Sequence, residues 1–136
     1  MRKIKNILII DDDPFSNFMT KNLILNMKAS DQVFIAENGT DGLSLLKDGF
    51  AHVACPELVF LDLNMPVMDG IGFLEKYEGD TQLKGKNKIV MLTSSVNAKD
   101  IQKVMNFNIA GFISKPLTAA KFEKLMEDIN GLPFIV

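Results

Sequence analysis

The sequence predicts a doubly wound α/β domain on a parallel sheet, and three observations predict it. Short apolar runs recur at about 6–10, 32–36, 57–61, 88–92 and 110–113. They read as near-continuous Ile, Val, Leu and Phe, the composition of strands buried on both faces, and do not alternate apolar with polar residues. Segments of helical period separate them, which is the crossover that neighbouring parallel strands require. Together these make five βα units. With 136 residues, 47% of them hydrophobic, the chain is expected to be one domain over 1–136, with a core at about 5–130 and a short apolar tail at 131–136.

Strand one, Ile7 to Ile10, runs directly into Asp11-Asp12-Asp13-Pro14. Asp13 before Pro14 is an N-cap and first-turn pair for helix one. That helix keeps its period imperfectly, because Asn22 and Asn26 interrupt a face made by Phe15, Phe18, Met19 and Leu23. Asn38-Gly39-Thr40 is read as a turn into helix two, and not as a glycosylation site, since no export signal accompanies it. Strand three ends at Asp62, followed by the turn formers Asn64, Pro66 and Asp69-Gly70. Polar stretches at Asp48–Pro56 and Glu78–Lys88 are expected as loops on the far edge of the sheet, with the sole histidine, His52, exposed in the first.

Strand four ends in Thr93-Ser94-Ser95, and helix four opens on Asn97 as a cap with Asp100 three residues on; its apolar set is Ile101, Val104 and Met105. Strand five ends in Lys115-Pro116. The last helix places Phe122, Leu125, Met126 and Ile129 at i, i+3, i+4 and i+7, leaving Lys121, Glu123, Lys124, Glu127 and Asp128 to solvent. For the tail, docking on its own domain is the plain expectation and a partner contact the sharper one. The eight methionines read as core filler, with Met65 and Met68 belonging to the turn after Asp62.

A formal charge of −2 provides no basic footprint for nucleic acid, so direct DNA or RNA binding is not expected. The apolar run Ile7–Ile10 is too short for a signal peptide core, and no stretch could span a bilayer, so the protein is expected in the cytoplasm and away from membranes. A lone Cys55 excludes an internal disulfide and a thiolate cluster.

The chemistry gathers at strand ends, the edge where open α/β sheets carry their sites. Asp11 and Asp12 emerge beside Asp62. At about 4 Å and an effective dielectric near 20, each like-charge pair costs roughly 4 kcal/mol, so a positive group must lie among them. Oxygen-only ligands suit a hard divalent ion, Mg²⁺ better than caged Ca²⁺. With the hydroxyl of Thr93 and the ammonium of Lys115, this edge has the equipment to move a phosphoryl group onto Asp62.

Ile-Ile-Asp11-Asp12, Leu-Asp62-Leu-Asn-Met-Pro66 with Asp69-Gly70, Thr93, and Lys115-Pro116 occur in an order and spacing that resemble the receiver domain of two-component response regulators, over nearly the whole chain. The resemblance implies a flavodoxin-like (βα)5 fold with a five-stranded parallel sheet in the order 2-1-3-4-5, of the stand-alone single-domain type. It implies that Asp62 is the phosphoacceptor, fed by a sensor histidine kinase or a histidine phosphotransferase. Asp12, Asp62 and the backbone carbonyl of Asn64 would bind Mg²⁺, or Mn²⁺ in its place, with Asp11 acting through water. Thr93 and Lys115 would contact the phosphoryl oxygens, and Thr93 with Phe112 would form the switch that reshapes helix four, strand five and helix five, the surface for a downstream target or a homodimer. Pro66, Gly70 and Pro116 would be structural turn residues, with a cis bond before Pro116. Asn64 and Ser95 would flank the water that later removes the group. Such a chain supports its own phosphorylation and dephosphorylation without being a conventional enzyme.

Two other classes remain open at the level of sequence. A haloacid-dehalogenase-like phosphatase also uses an aspartate after a strand with Mg²⁺, but wants a second acid where Asn64 stands. An interaction module that keeps the fold without phosphorylation would not need the full set of Asp11, Asp12, Asp62, Thr93 and Lys115. Whether the output is docking or phosphoryl shuttling is not readable from these residues.

Overall fold

The computed structural model describes residues 3–50, 55–95 and 97–128, and the backbone of 134–135. Five strands and five helices alternate along the chain: β1 (Ile4–Ile10), α1 (Pro14–Asn26), β2 (Ser30–Ala36), α2 (Gly39–Asp48), β3 (Leu58–Leu61), α3 (Gly70–Glu78), β4 (Lys88–Thr93), α4 (Ala98–Met105), β5 (Gly111–Ser114) and α5 (Ala119–Asp128). These strands are parallel and ordered 2-1-3-4-5, as expected. One element was not anticipated. Phe134–Ile135 form a short β6 that pairs parallel with β5, Gly111 opposite Phe134 and Phe112 opposite Ile135, and make the sheet six-stranded. Two residues are too few to carry a strand signal in sequence, but the expectation that the tail docks on its own domain is met by this pairing. His52 and Ile129 lie outside the described residues.

The pleat divides the core in two. Leu8, Ile10, Val59, Leu61, Met91 and Phe112 point to the side of Phe73, Leu74 and Tyr77 on α3, Leu46 on α2 and Val104 on α4. Ile7, Ile9, Leu58, Phe60, Val90, Leu92 and Ile113 point to the side of Ile24 on α1 and of Phe122 and Leu125 on α5. All four residues of β3 are fully buried. At about 1.5–3 kcal/mol per large apolar side chain, that burial holds a very short strand in one register. The register sets Ile10 opposite Leu61 and Leu61 opposite Met91, so β1, β3 and β4 end nearly together.

Four expectations are corrected. On α1 the buried residues are Asn17, Thr20 and Ile24, whereas Phe15, Phe18 and Met19 are exposed. The apolar residues of its first turns point outward, while Asn17 holds the Asp11 carbonyl at the end of β1; farther along, Ile24 is buried and Leu23 and Leu25 pack against the core. On α4 only Val104 is buried and Met105 is exposed. The methionines are not uniformly filler: Met91 is buried, but Met19 and Met105 face solvent. Lys121 is not left to solvent either; its Nζ donates to the carbonyls of Ser114 at 2.7 Å and Pro116 at 3.1 Å.

Candidate functional site

Strand β1 delivers Asp11 and Asp12 to the sheet edge, the first buried and the second exposed. Asp11 is fixed from three directions. Its N–H donates to Ala36 O at 2.9 Å, its Oδ1 accepts from Asp13 N at 3.0 Å, and its carbonyl accepts from Asn17 Nδ2 at 2.9 Å. Asp13 in turn caps α1 by accepting from Phe15 N, with Pro14 in the first turn, as read from sequence.

Asp62 follows β3 and is buried; its N–H donates to Ile10 O at 2.9 Å, which ties it to the residue before Asp11. Its Oδ1 accepts from Leu63 N at 2.8 Å, leaving Oδ2 for the cluster. The turn behind it is tight. Gly70 N donates to Leu63 O at 2.8 Å, and a Cβ on Gly70 would stand 2.6 Å from the carbonyl oxygen of Asp62, so only glycine fits there. Pro66 accepts from Met68 N at 2.8 Å across Val67, whose φ of 68° places a β-branched residue in the left-handed region. Asn64 is exposed beside this turn.

Thr93 closes β4 and is buried; its Oγ1 accepts from Ser95 N at 3.2 Å and its carbonyl accepts from Lys115 N at 3.0 Å. Ser95 donates its hydroxyl to the Asp100 carboxylate, and Asp100 N donates to the capping Asn97. Phe112 is buried within the core two residue pairs below the edge pair Thr93–Ser114, opposite Met91. The Lys115–Pro116 bond is cis.

Lys115 Nζ lies 2.7 Å from Asp11 Oδ2 and 3.4 Å from Asp62 Oδ2. The positive group that the acids require is therefore supplied in part by the chain itself. Burial pulls the Lys115 ammonium down, but the hydrogen bond to Asp11 and the charges of Asp62 and Asp11 outweigh it and raise its pKa above the ordinary value. Asp11 is pushed up, first by burial and also by the charge of Asp62, against the lowering hydrogen bonds from Lys115 and Asp13. Asp11 is thus the strained charge of the group.

Asp11, Asp12 and Asp62 each offer an oxygen, and these oxygens lie within 4.8 Å of one another. The donor set is purely oxygen, two of its carboxylates are buried, and Asp12 opens to solvent, where waters can complete a shell. This fits Mg²⁺, which keeps several waters and uses few carboxylates. Asp11, Asp12, Asp62, Thr93 and Lys115 are brought to one edge of the sheet, whereas Phe112 lies in the core below it. Two supporting residues went unread. Asn17 holds the Asp11 carbonyl from inside α1, and Lys121 ties down the β5–α5 loop that presents Lys115. An Asn on a helix face carries no such signal by itself, and the Lys121 contacts exist only once the loop has folded.

The family profile described as "Response regulator receiver domain" matches residues 7–130. The chain belongs to this family. Among curated relatives, the receiver domain is 30% identical to the chemotaxis protein CheY-3 of Vibrio cholerae over 95% of this chain and 94% of that protein. It is 25% identical to a probable C4-dicarboxylate response regulator, DctR, of Priestia megaterium over 95% of this chain, and spans about half, 52%, of that relative's length. Among solved structures, a two-component response regulator from Cytophaga hutchinsonii superposes with a TM-score of 0.84 at 27% identity, covering 95% of this chain and 98% of that one. Receiver domains of this family interact with histidine kinases and phosphotransfer proteins. Among the described residues, no helix of this receiver domain is long and apolar enough to cross a membrane.

Proposed function

We propose that this receiver domain accepts a phosphoryl group on Asp62 from a protein phosphohistidine and relays the event by a change of surface. The observation that carries the reading is the Lys115 ammonium shared by Asp11 and Asp62 beside a three-carboxylate cluster. Asp62 Oδ1 is engaged by Leu63 N, so Oδ2 is the attacking oxygen. A P–O bond forms at Oδ2 as the P–N bond of the donor breaks, and the imidazole leaves with the electron pair. Lys115 is placed to move from Asp62 to the incoming phosphoryl oxygens, and Thr93 to donate its hydroxyl to another of them. Asp12, Asp62 and the Asn64 carbonyl would hold Mg²⁺, with Asp11 behind water; bound there, the ion supplies the positive charge that phosphoryl transfer needs most.

When Thr93 turns to the new oxygens it releases Ser95 N, and space opens for Phe112 to follow. The α4–β5–α5 surface is the element biased by that move, and a downstream protein or a second copy is its reader. Loss of the group to water passes Asn64 and Ser95. The chain acts in the cytoplasm as one receiver unit, without direct contact to nucleic acid. A folded Asp62→Asn variant is expected to take up no label from phosphoramidate or from a phosphorylated kinase, while the unaltered chain is labelled in a Mg²⁺-dependent way. Labelling of that variant at the normal rate would refute the assignment.

A further inference from the structure

Ser95 is held at two points between the end of β4 and the start of α4. Its N–H donates to Thr93 Oγ1 at 3.2 Å, and its hydroxyl donates to Asp100 Oδ2. The same carboxylate oxygen accepts from Asn97 Nδ2 at 2.9 Å, while Asp100 N donates to Asn97 Oδ1, also at 2.9 Å. Asn97 and Asp100 by themselves make a helix cap. A cap needs nothing from Ser95, which stands before it, so this third contact on Asp100 has another use. Packing anchors α4 toward its other end, where Val104 is buried. The first turn of the helix is tied to the strand end through Ser95.

We propose that Asp100 is a positioning residue that latches the resting state of Thr93 through Ser95; the inference rests on Asp62 being the acceptor. For Thr93 to turn toward a phosphoryl oxygen, the Ser95 N–H must lose its acceptor. Ser95 is half-buried, so an unmatched N–H there is costly unless the residue follows Thr93 or turns to water. The tie to Asp100 prevents either move, because it fixes the Ser95 side chain to a carboxylate that Asn97 and the first turn of α4 hold in place. A hydrogen bond to a carboxylate is also of the stronger, charge-assisted class. Switching therefore requires the tie to break or α4 to move with it, and both raise the cost of the switched state. Cutting the tie leaves the cap standing, since Asn97 Oδ1 accepts from the backbone N–H at position 100 whatever its side chain. By linkage, a chain released toward the switched state binds a phosphoryl group more tightly. Damage to the loop alone would weaken that binding, whereas release of a latch tightens it.

Calorimetric titration with beryllofluoride in Mg²⁺ tests the latch, beryllofluoride standing in for a phosphoryl group on the aspartate. Asp100→Ala and Ser95→Ala are each expected to bind it about fivefold tighter than the unaltered chain, and the double variant no tighter than either. Asp100→Asn keeps an acceptor for the Ser95 hydroxyl, and is expected to stay within about twofold of the unaltered chain. Unchanged or weaker binding by Asp100→Ala overturns the latch. So do gains that add in the double variant, or an Asp100→Asn that matches Asp100→Ala, which would assign the effect to charge. Should Asp100→Ala not fold, Ser95→Ala decides alone, and binding no tighter than that of the unaltered chain overturns the latch. Failure of the folded, unaltered chain to bind beryllofluoride removes the acceptor reading and the latch with it; binding that the variants do not alter removes the latch alone.

Discussion

Asp11 and Lys115 set the electrostatics of the site at the scale of single residues. Asp11 is buried with its carboxyl pushed above the ordinary 3.8, mainly by desolvation, while Lys115 is held protonated by the acids around it. A carboxyl raised in the folded state binds more protons there than in the unfolded chain between the two pKa values. Stability therefore falls as pH rises through that window and levels off above it. Asn cannot titrate, and its amide oxygen can still accept from Asp13 N. In EDTA, Asp11→Asn is expected to melt above the unaltered chain at pH 7, with the gain shrinking as pH approaches 3.8. Thermal melts across pH 4–7 check this, and a variant less stable at pH 7 would show that the ion pair outweighs the burial.

At the scale of elements, the turn from β3 into α3 is where a backbone contact bears on the proposed acceptor, Asp62. Gly70 packs against the peptide of Asp62, and a methyl group there meets a backbone oxygen at 2.6 Å instead of the yielding end of a side chain. Gly70→Ala is expected to cost about 1–3 kcal/mol in urea unfolding, the range for overpacking, and to slow phosphoramidate labelling because Asp62 must shift with its carbonyl. A change below about 0.5 kcal/mol, the scale of an ordinary surface substitution, would mean that the turn adjusts freely. Helices α1 and α4 show the limit of periodicity as a guide to elements. Their apolar positions fall at helical spacing, yet Phe15, Phe18, Met19 and Met105 face out. Periodicity finds a helix and its apolar side; it does not say whether that side meets the core or solvent. The polar network of Tyr77, Asn87 and Pro56 at the far edge was equally silent in the sequence. Tyr77 OH donates to Asn87 Oδ1 at 2.9 Å, and Asn87 Nδ2 donates to Pro56 O at 2.6 Å.

For the whole molecule, the acid cluster crowds like charges in the folded state, and a cation held there, as proposed, would relieve that cost and link metal to fold. Mg²⁺ at 100 times its Kd is expected to stabilise the chain by about 2.7 kcal/mol, and Asp12→Ala to remove most of that gain while leaving the metal-free melt nearly unchanged, since Asp12 is exposed. An equal Mg²⁺ shift in both chains would contradict the ligand role. The order of strands and helices, the buried sheet and the catalogue Asp11, Asp12, Asp62, Thr93 and Lys115 were determined by sequence alone. Each is written locally, in an apolar run and the residue that ends it. Tertiary structure decided what depends on residues far apart in the chain: that Lys115 bridges Asp11 and Asp62, that β6 extends β5, that Asn17 and Lys121 brace the edge, and that α1 turns Phe15, Phe18 and Met19 to solvent. Those outcomes follow from strand register and from which backbone groups need a partner at the sheet edge, quantities that no window of sequence contains.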